Sequence, residues 1–167
     1  MLKVMNVDDS PDMLHLMDWI LQKEGYNVIE ATSGEECLEK LEKERPDVIL
    51  LDVMMPGING WEICKQIKGD ASTRDIPVVM FTIRSRDEDI ARSFEYAGAE
   101  WHVSKPFKIR DLLDVLKLSV KPTTKIEREI EKAIQKKKKI REVFKMMNPK
   151  MVNFKYDILF KGDEKKE

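Results

Sequence analysis

The sequence has little cysteine and no long apolar run. Its 167 residues include two cysteines, Cys37 and Cys64, which are too few for the disulfide framework of a small secreted domain. Both fall within apolar patterns that predict helices. No apolar run approaches the length of a signal peptide core or a membrane-spanning helix. We therefore expect a cytoplasmic protein with no membrane span.

Charge is unevenly distributed along the chain. Residues 1–120 carry 15 basic and 23 acidic side chains, a net charge of −8, whereas residues 121–167 carry 15 and 8, a net charge of +7. The sign changes at Lys121-Pro122, where the residue before proline is disfavoured in a helix. A chain of this length suffices for one ordinary domain and an appendage. We predict a domain over 1–121 and a basic C-terminal extension over 122–167.

Short apolar runs alternate with longer segments whose apolar residues recur at three- and four-residue spacing. The run Val48–Leu51 is apolar without alternation, which is typical of a central parallel strand covered on both faces. The alternation predicts an α/β fold with a doubly wound, five-stranded parallel sheet. The five predicted strands are Leu2–Val7, Tyr26–Ala31, Val48–Leu51, Ile76–Thr82 and Glu100–Val103.

Helix starts are marked by side chains that accept hydrogen bonds from free backbone amides. The predicted N-caps are Ser10 before Pro11, Ser33 with Glu36, Asn59 with Glu62, and Ser85 with Glu88. Helical spacing also predicts the core positions, which are Met13, Leu16, Met17 and Ile20 in the first helix and Ile63, Cys64 and Ile67 in the third. We expect His15 to be a surface or packing residue. Trp61 and Trp101 are candidate partner contacts, although Trp61 could equally pack against its own helix.

The basic extension has patterns of its own. Thr124 and Glu127 form a capping-box pattern, which predicts a helix over about 124–147, and residues 151–160 alternate as a strand does. The lysine run 136–139 wraps a helix on all sides, so a solvated helix is favoured over a surface for nucleic acid or membrane. The extension could instead pack on the acidic domain or pair with a second copy, with its terminal strand adding to an exposed sheet edge.

Polar residues follow the predicted strands at one edge of the sheet. Asp8 and Asp9 follow the first strand, Asp52 the third, Thr82 ends the fourth, and Lys105 follows the fifth. Ligands of open parallel sheets bind beyond these carboxyl ends. Three converging carboxylates repel one another unless a cation lies between them, and carboxylate oxygens suit Mg²⁺. The pattern therefore predicts a magnesium site.

A cation held by acids beside a hydroxyl and a lysine is a site for a phosphoryl group. Carboxylates can act as nucleophiles and form acyl phosphates. Asp52 is the natural nucleophile because it is single and follows the apolar strand, whereas Asp8 and Asp9 are adjacent and better arranged to hold metal. Lys105 and Thr82 would bind the phosphoryl oxygens by charge and by hydroxyl donation.

Four segments together resemble the receiver domains of two-component response regulators. They are Val7-Asp8-Asp9-Ser10, Leu51-Asp52-Val53-Met54-Met55-Pro56-Gly57-Ile58-Asn59-Gly60, Phe81-Thr82 and Gly98-Ala99-x-x-x-x-x-Lys105-Pro106-Phe107. The resemblance spans residues 1 to about 120. It implies a flavodoxin-like sheet with strand order 2-1-3-4-5, to which the extension adds a C-terminal helix and a further strand-like segment.

The resemblance also implies roles for individual residues. Asp52 would accept a phosphoryl group from a histidine kinase or phosphotransfer protein. Asp9, Asp52 and the backbone carbonyl of Met54 would bind Mg²⁺, with Asp8 acting through water, and Lys105 would precede a cis proline. The switch pair would be Thr82 and the aromatic position on the fifth strand, and its movement would alter a protein-binding face over about residues 86–119.

The sequence departs from the family pattern at two positions. His102 occupies the place of the usual tyrosine or phenylalanine, and because histidine titrates near neutral pH we hypothesise pH-sensitive switching. Ile83 follows Thr82 where the family commonly has a small side chain. A bulky residue there would hinder the donor or the attacking water, which predicts slow autodephosphorylation.

We interpret the chain as a phosphorelay receiver that assists its own phosphorylation and dephosphorylation, acts on a downstream protein and is not an enzyme with a separate substrate. The protein-binding face could also bind a second copy of the chain and form a homodimer. The alternative is a nucleic-acid-binding regulator acting through the basic extension, although that segment has no helix-turn-helix pair or zinc-ligand spacing. A haloacid-type hydrolase is disfavoured because Met54 stands where such enzymes usually carry a second aspartate.

Overall fold

Five strands alternate with five α-helices in the computed structural model, which describes residues 1–120, Met146 and Asn148. The strands are β1 (Lys3–Val7), β2 (Asn27–Ala31), β3 (Val48–Leu51), β4 (Val78–Thr82) and β5 (Trp101–Ser104). The helices are α1 (Pro11–Lys23), α2 (Gly34–Leu41), α3 (Gly60–Gly69), α4 (Asp87–Ala91) and α5 (Ile109–Ser119). A π-helical turn, Arg92–Tyr96, continues α4.

The strands form one parallel sheet in the order β2-β1-β3-β4-β5. This confirms the predicted fold class and strand order. Alternate residues of the strands feed two apolar clusters. One cluster joins Met5 of β1 to Ile63 of α3, and the other joins Val4 of β1 to Leu21 of α1 and Leu116 of α5. Helices therefore cover both faces, which is why every residue of β3 is buried.

Three of the four predicted helix caps are confirmed. The side chains of Ser10, Ser33 and Asn59 accept hydrogen bonds from the backbone N–H three residues on, at 3.3, 3.1 and 3.2 Å. The cap predicted at Ser85 is wrong, because α4 begins after Arg86 and has no capping side chain. Its first turn holds the acidic residues 87–89 instead, whose charges interact favourably with the positive end of the helix dipole.

The predicted buried face of α1 is correct for Met17 and Ile20 but wrong for Leu16, which is 45% exposed. The buried stripe includes Leu14 and Leu21. Leu16 precedes Met17 by one residue, a rotation of about 100° around the helix, and so falls outside the stripe. The third-helix positions predicted as core are all buried.

Both tryptophans considered as partner contacts belong to the interior. Trp101 is fully buried, and Trp61 is 6% exposed and donates its indole N–H to Ser93 Oγ at 2.9 Å. His15 is exposed, as expected. Within the described part of the chain, no helix has both the length and the hydropathy of a membrane span. The helix predicted over about 124–147 lies outside the described residues apart from Met146, the segment 151–160 lies wholly outside, and the 121/122 boundary stays a prediction.

Candidate functional site

The backbone brings the ends of four strands to one place. Where the pairing ends, the chain still bonds to its neighbours: Asp52 N–H donates to the carbonyl of Val7 at 2.9 Å, and Lys105 N–H donates to the carbonyl of Thr82 at 2.8 Å. The side chains that follow β1, β3 and β5 therefore leave the sheet at fixed positions. The structure thus brings the predicted acidic and basic residues to the same edge.

Three carboxylates meet at this edge. Asp8, Asp9 and Asp52 each offer one oxygen, and these atoms lie within 4.8 Å of one another. Asp8 and Asp52 are buried, whereas Asp9 is exposed. A cluster of carboxylates with one exposed member is a donor set that suits a hard divalent cation, which retains several waters. These residues therefore fit Mg²⁺ by the chemistry of their oxygens.

Lys105 holds the buried pair together. Its Nζ donates to Asp8 Oδ2 at 2.7 Å and lies 3.9 Å from Asp52 Oδ1. The same nitrogen stands 4.6 Å from the centre of the Phe81 ring, a favourable position for a cation. The Lys105–Pro106 peptide bond is cis, as expected. The Lys105 side chain is only 12% exposed, so its charge acts on the carboxylates with little screening by solvent.

The pKa of Asp52 is raised above its ordinary value. Burial is the main cause, because it disfavours the charged form, and the neighbouring Asp8 adds to it. Lys105 opposes the rise, as do hydrogen bonds from the Thr82 hydroxyl and the Met54 backbone N–H. The carboxylate of Asp52 is thus a charged group in a costly position. A bound cation would relieve that cost.

Gly60 is a supporting residue to which the sequence patterns gave no separate role. A Cβ atom on Gly60 would overlap the backbone carbonyl of Asp52, and the Gly60 N–H donates to the carbonyl of Val53 at 3.0 Å. The first turn of α3 therefore packs directly on the chain that carries Asp52. A side chain at position 60 would displace Asp52. The only sign in the sequence that this position must be glycine is the glycine itself, next to the Asn59 cap.

The rim of the site carries larger side chains. Met54 and Ile83 are 46% and 66% exposed, and the Arg84 Nε–H donates to the sulfur of Met54 at 3.1 Å. This contact joins the segment after β3 to the segment after β4. Arg84 was not a predicted site residue, and no sequence pattern distinguishes it from the arginine at 86.

His102 lies in a buried network apart from the carboxylates. Its Nε2 is 2.8 Å from the carbonyl of Arg84, which can only accept, so this nitrogen carries a proton. Its Nδ1 is 2.9 Å from Ser93 Oγ. Burial lowers the pKa of the imidazole, which favours the neutral ring. Ser93 Oγ accepts from the Trp61 indole N–H, and two acceptors lie within reach of its single proton: His102 Nδ1 and the carbonyl of Asp89 at 3.1 Å. No sequence pattern indicated this link between α3, the π-helical turn and β5.

Known proteins are similar in sequence to the domain that carries this site. The family described as response regulator receiver domain matches residues 4–117. The alkaline phosphatase synthesis transcriptional regulatory protein PhoP of Bacillus subtilis is 38% identical over 110 residues, covering 66% of this chain and 45% of that protein. The phosphate regulon transcriptional regulatory protein PhoB of Escherichia coli is 35% identical over 115 residues, covering 69% and 50%. The chain spans about half the length of these curated relatives.

Solved structures resemble the fold throughout the described domain. The chemotaxis response regulator CheY4 of Vibrio cholerae has a TM-score of 0.68 at 34% identity, covering 72% of this chain and 99% of that one. A CheY-like receiver domain protein of Methanospirillum hungatei has a TM-score of 0.67 at 29% identity, covering 77% and 98%. With the family match over 4–117 and this shared architecture, the chain belongs to the response regulator receiver domain family of two-component signal transduction.

Proposed function

We propose that Asp52 is the residue that accepts the phosphoryl group. The observation that carries this proposal is the position of its carboxylate, which is buried at the end of β3 with Lys105 Nζ 3.9 Å away and two further carboxylates close by. A raised pKa makes the ionised oxygen a better nucleophile, because basicity and nucleophilicity rise together. Asp8 is held more tightly than Asp52, because its two oxygens accept hydrogen bonds from Ser10 N–H at 2.9 Å and from Lys105 at 2.7 Å.

The reaction is a transfer of a phosphoryl group between two side chains. One oxygen of Asp52 attacks the phosphorus of a phosphohistidine on a histidine kinase or phosphotransfer protein. The P–N bond breaks, the imidazole nitrogen keeps its electron pair and takes a proton, and a P–O bond forms an acyl phosphate. Lys105 and the Thr82 hydroxyl, which already reach Asp52, would then donate to the phosphoryl oxygens.

Magnesium would be held by Asp9, Asp52 and the backbone carbonyl of Met54, with Asp8 acting through water. When bound, it neutralises charge on the transferring phosphoryl oxygens. The residues of the chain do the positioning. Lys105 fixes Asp8 at 2.7 Å, and this leaves Asp9, the exposed carboxylate, as the group that can turn toward a cation from solvent.

The phosphorylated state would act through a change of surface. Donation from Thr82 to the new phosphoryl group would draw the end of β4 toward Asp52. His102, on the adjacent strand β5, would respond because Met80 and His102 are paired in the sheet. The output would be binding of a downstream protein to the face over about 86–119, without turnover of a separate substrate. The two free, buried cysteines suit the cytoplasm, where we place the protein.

A nucleic-acid-binding regulator is the second candidate. It is supported by the +7 net charge of residues 121–167 and by two relatives that are transcriptional regulatory proteins. Binding through the extension would weaken steeply with salt and would disappear from a chain ending at Lys121. Equal binding by that shortened chain would exclude this function.

Intact mass after incubation with Mg²⁺ and acetyl phosphate tests the first proposal. Wild type should gain one phosphoryl mass and Asp52→Asn none, while Asp70→Asn, an exposed aspartate between α3 and β4, should behave as wild type. Lys105→Ala should gain less than wild type. Equal addition to wild type and Asp52→Asn would contradict the assignment. Light scattering on the same samples would show whether phosphorylation also produces a dimer.

A further inference from the structure

Two residues of the C-terminal extension, Met146 and Asn148, form backbone hydrogen bonds with the outer edge of β5. On its inner side β5 pairs with β4, from Val79 with Trp101 to Thr82 with Ser104. On its outer side the N–H of His102 donates to the carbonyl of Met146 at 2.9 Å, and the carbonyl of Glu100 accepts from the N–H of Asn148 at 2.8 Å. One donor and one acceptor on each segment, two residues apart, is the exchange that an antiparallel ladder makes.

Asn148 is built into this edge by its side chain as well. Its Nδ2 donates to the carbonyl of Ala99 at 2.9 Å, and the residue is only 8% exposed. Burial of an amide side chain is unfavourable unless it finds hydrogen-bond partners, and here it finds one on the chain just before β5. Met146 packs against the apolar cluster that includes Trp101 and Leu116. Both residues therefore make specific contacts with the domain.

Glu100, whose backbone carbonyl accepts from Asn148, is held in place by its own side chain. The Glu100 carboxylate accepts from Lys68 Nζ at 2.6 Å and from the N–H of Val78 at 2.7 Å. These bonds tie the start of β5 to α3 and β4. The Glu100 carbonyl is thus a fixed acceptor, and an extended segment can bind to it without the domain having to rearrange.

We propose that the chain's own extension docks on the outer edge of β5 through Met146 and Asn148, and that this contact is coupled to the state of Asp52 through His102. An edge strand offers its backbone groups to any extended chain. Occupation of this edge from within the same chain excludes other extended chains from it. The extension is then an intramolecular competitor, and a downstream protein that binds the β5 edge must displace it.

The coupling follows from which residue receives the extension. The N–H that binds Met146 belongs to His102, whose ring is buried against Ser93 and the Arg84 carbonyl. The N–H of the same Arg84 donates to the Thr82 hydroxyl oxygen at 3.2 Å. The docked extension, the buried His102 ring and the buried Thr82 side chain thus occur together. A phosphoryl group on Asp52 would favour the same Thr82 position, so phosphorylation should strengthen docking; this step rests on the proposed function. By linkage, docking of the extension must favour phosphorylation of Asp52 by the same free energy as phosphorylation favours docking.

Amide hydrogen exchange at His102 in the full chain tests the docking. Asn148→Pro lacks the N–H that Glu100 accepts, and should speed exchange of the His102 amide at least about fivefold, the factor expected from losing roughly one backbone hydrogen bond. Asn148→Ala should have a smaller effect in the same direction. Asn27→Ala, an exposed asparagine at the opposite edge of the sheet, should leave it unchanged. Equal exchange in all four proteins would overturn the docking, and protection that falls on dilution would place the segment in a second copy.

Exchange measured with Mg²⁺ and acetyl phosphate tests the coupling, with intact mass read from the same sample. Phosphorylated wild type should exchange the His102 amide more slowly than the unphosphorylated protein, and Asp52→Asn should show no change. Phosphorylation without any change in exchange would overturn the coupling. Absence of phosphorylation would count against the proposed function, while the comparison of Asn148→Pro with wild type would still decide the docking.

Discussion

Replacement of Asp52 by asparagine should stabilise the fold when no metal is present. The carboxylate is buried beside Asp8, and its raised pKa reports that its charge is disfavoured. Asparagine has nearly the same shape and keeps one acceptor oxygen for the Thr82 hydroxyl or the Met54 N–H. The substitution therefore removes the unfavourable charge and leaves the packing at the end of β3 largely intact.

The size of the effect follows from the distances. With an effective dielectric constant of about 20, two like charges no more than 4.8 Å apart repel by at least about 3.5 kcal/mol, and opposite charges at 3.9 Å attract by about 4 kcal/mol. Repulsion from Asp8 thus cancels most of the attraction by Lys105. Desolvation and a screened contribution from Asp9 remain, so we expect Asp52→Asn to raise the free energy of unfolding by about 1–2 kcal/mol. In a chain of this length that is a rise in Tm of roughly 2–8 °C.

Urea unfolding followed by circular dichroism, with EDTA or with Mg²⁺, measures this effect. In EDTA the Asp52→Asn midpoint should lie above that of wild type, and Asp70→Asn should show no such gain because its carboxylate is exposed and its pKa is lowered by Ser72. Mg²⁺ should reduce the difference between the two midpoints, because it binds the folded wild type, which keeps the Asp52 carboxylate, and a ligand that binds the folded state stabilises it. Asp52→Asn no more stable than wild type in EDTA, or equal stabilisation of both by Mg²⁺, would refute the reasoning.

Four further predictions concern the rim and the buried network. Ile83→Ala should speed loss of the phosphoryl group, because Ile83 is exposed at the rim; an unchanged half-life by intact mass would contradict this. His102 has a pKa lowered from 6.5, so the fold favours its neutral form and stability should fall as pH drops below about 6.5, a dependence that His102→Phe should reduce. The phosphorylated conformation should change between pH 5.5 and 8 for the same reason, which near-ultraviolet circular dichroism would detect. Trp61→Phe leaves the buried Ser93 hydroxyl without its indole donor and should cost about 1–2 kcal/mol in urea unfolding.

The sheet and its polar edge were predictable because they depend on local patterns. Apolar runs identify the strands, and the residue after each run identifies the carboxyl end where ligands bind. Asp8, Asp52 and Lys105 follow their strands directly, so their meeting requires only the parallel strand order. Three of the helix caps likewise depend on residues three apart in the sequence.

The features that sequence patterns missed depend on contacts between distant segments. The capping pattern at Ser85 and Glu88 is as good as the others, but the chain stays extended through Arg86 before α4 begins. The network around Ser93 joins Trp61 to His102, and neither apolar spacing nor motifs report such a contact. The pairing of Met146 and Asn148 with β5 falls where the sequence predicted the end of a helix, and a strand added from residues 151–160 was the only edge contact foreseen.

Chemical mapping of the phosphorylated residue tests the central claim most directly. Borohydride reduces an acyl phosphate to an alcohol, so reduction after reaction with acetyl phosphate and Mg²⁺ would convert the modified aspartate to homoserine. Peptide mass spectrometry should find homoserine at position 52 and unmodified aspartate at positions 8 and 9. Homoserine at position 8 or 9, or phosphorylation that resists borohydride, would contradict the assignment of Asp52 as the phosphoacceptor.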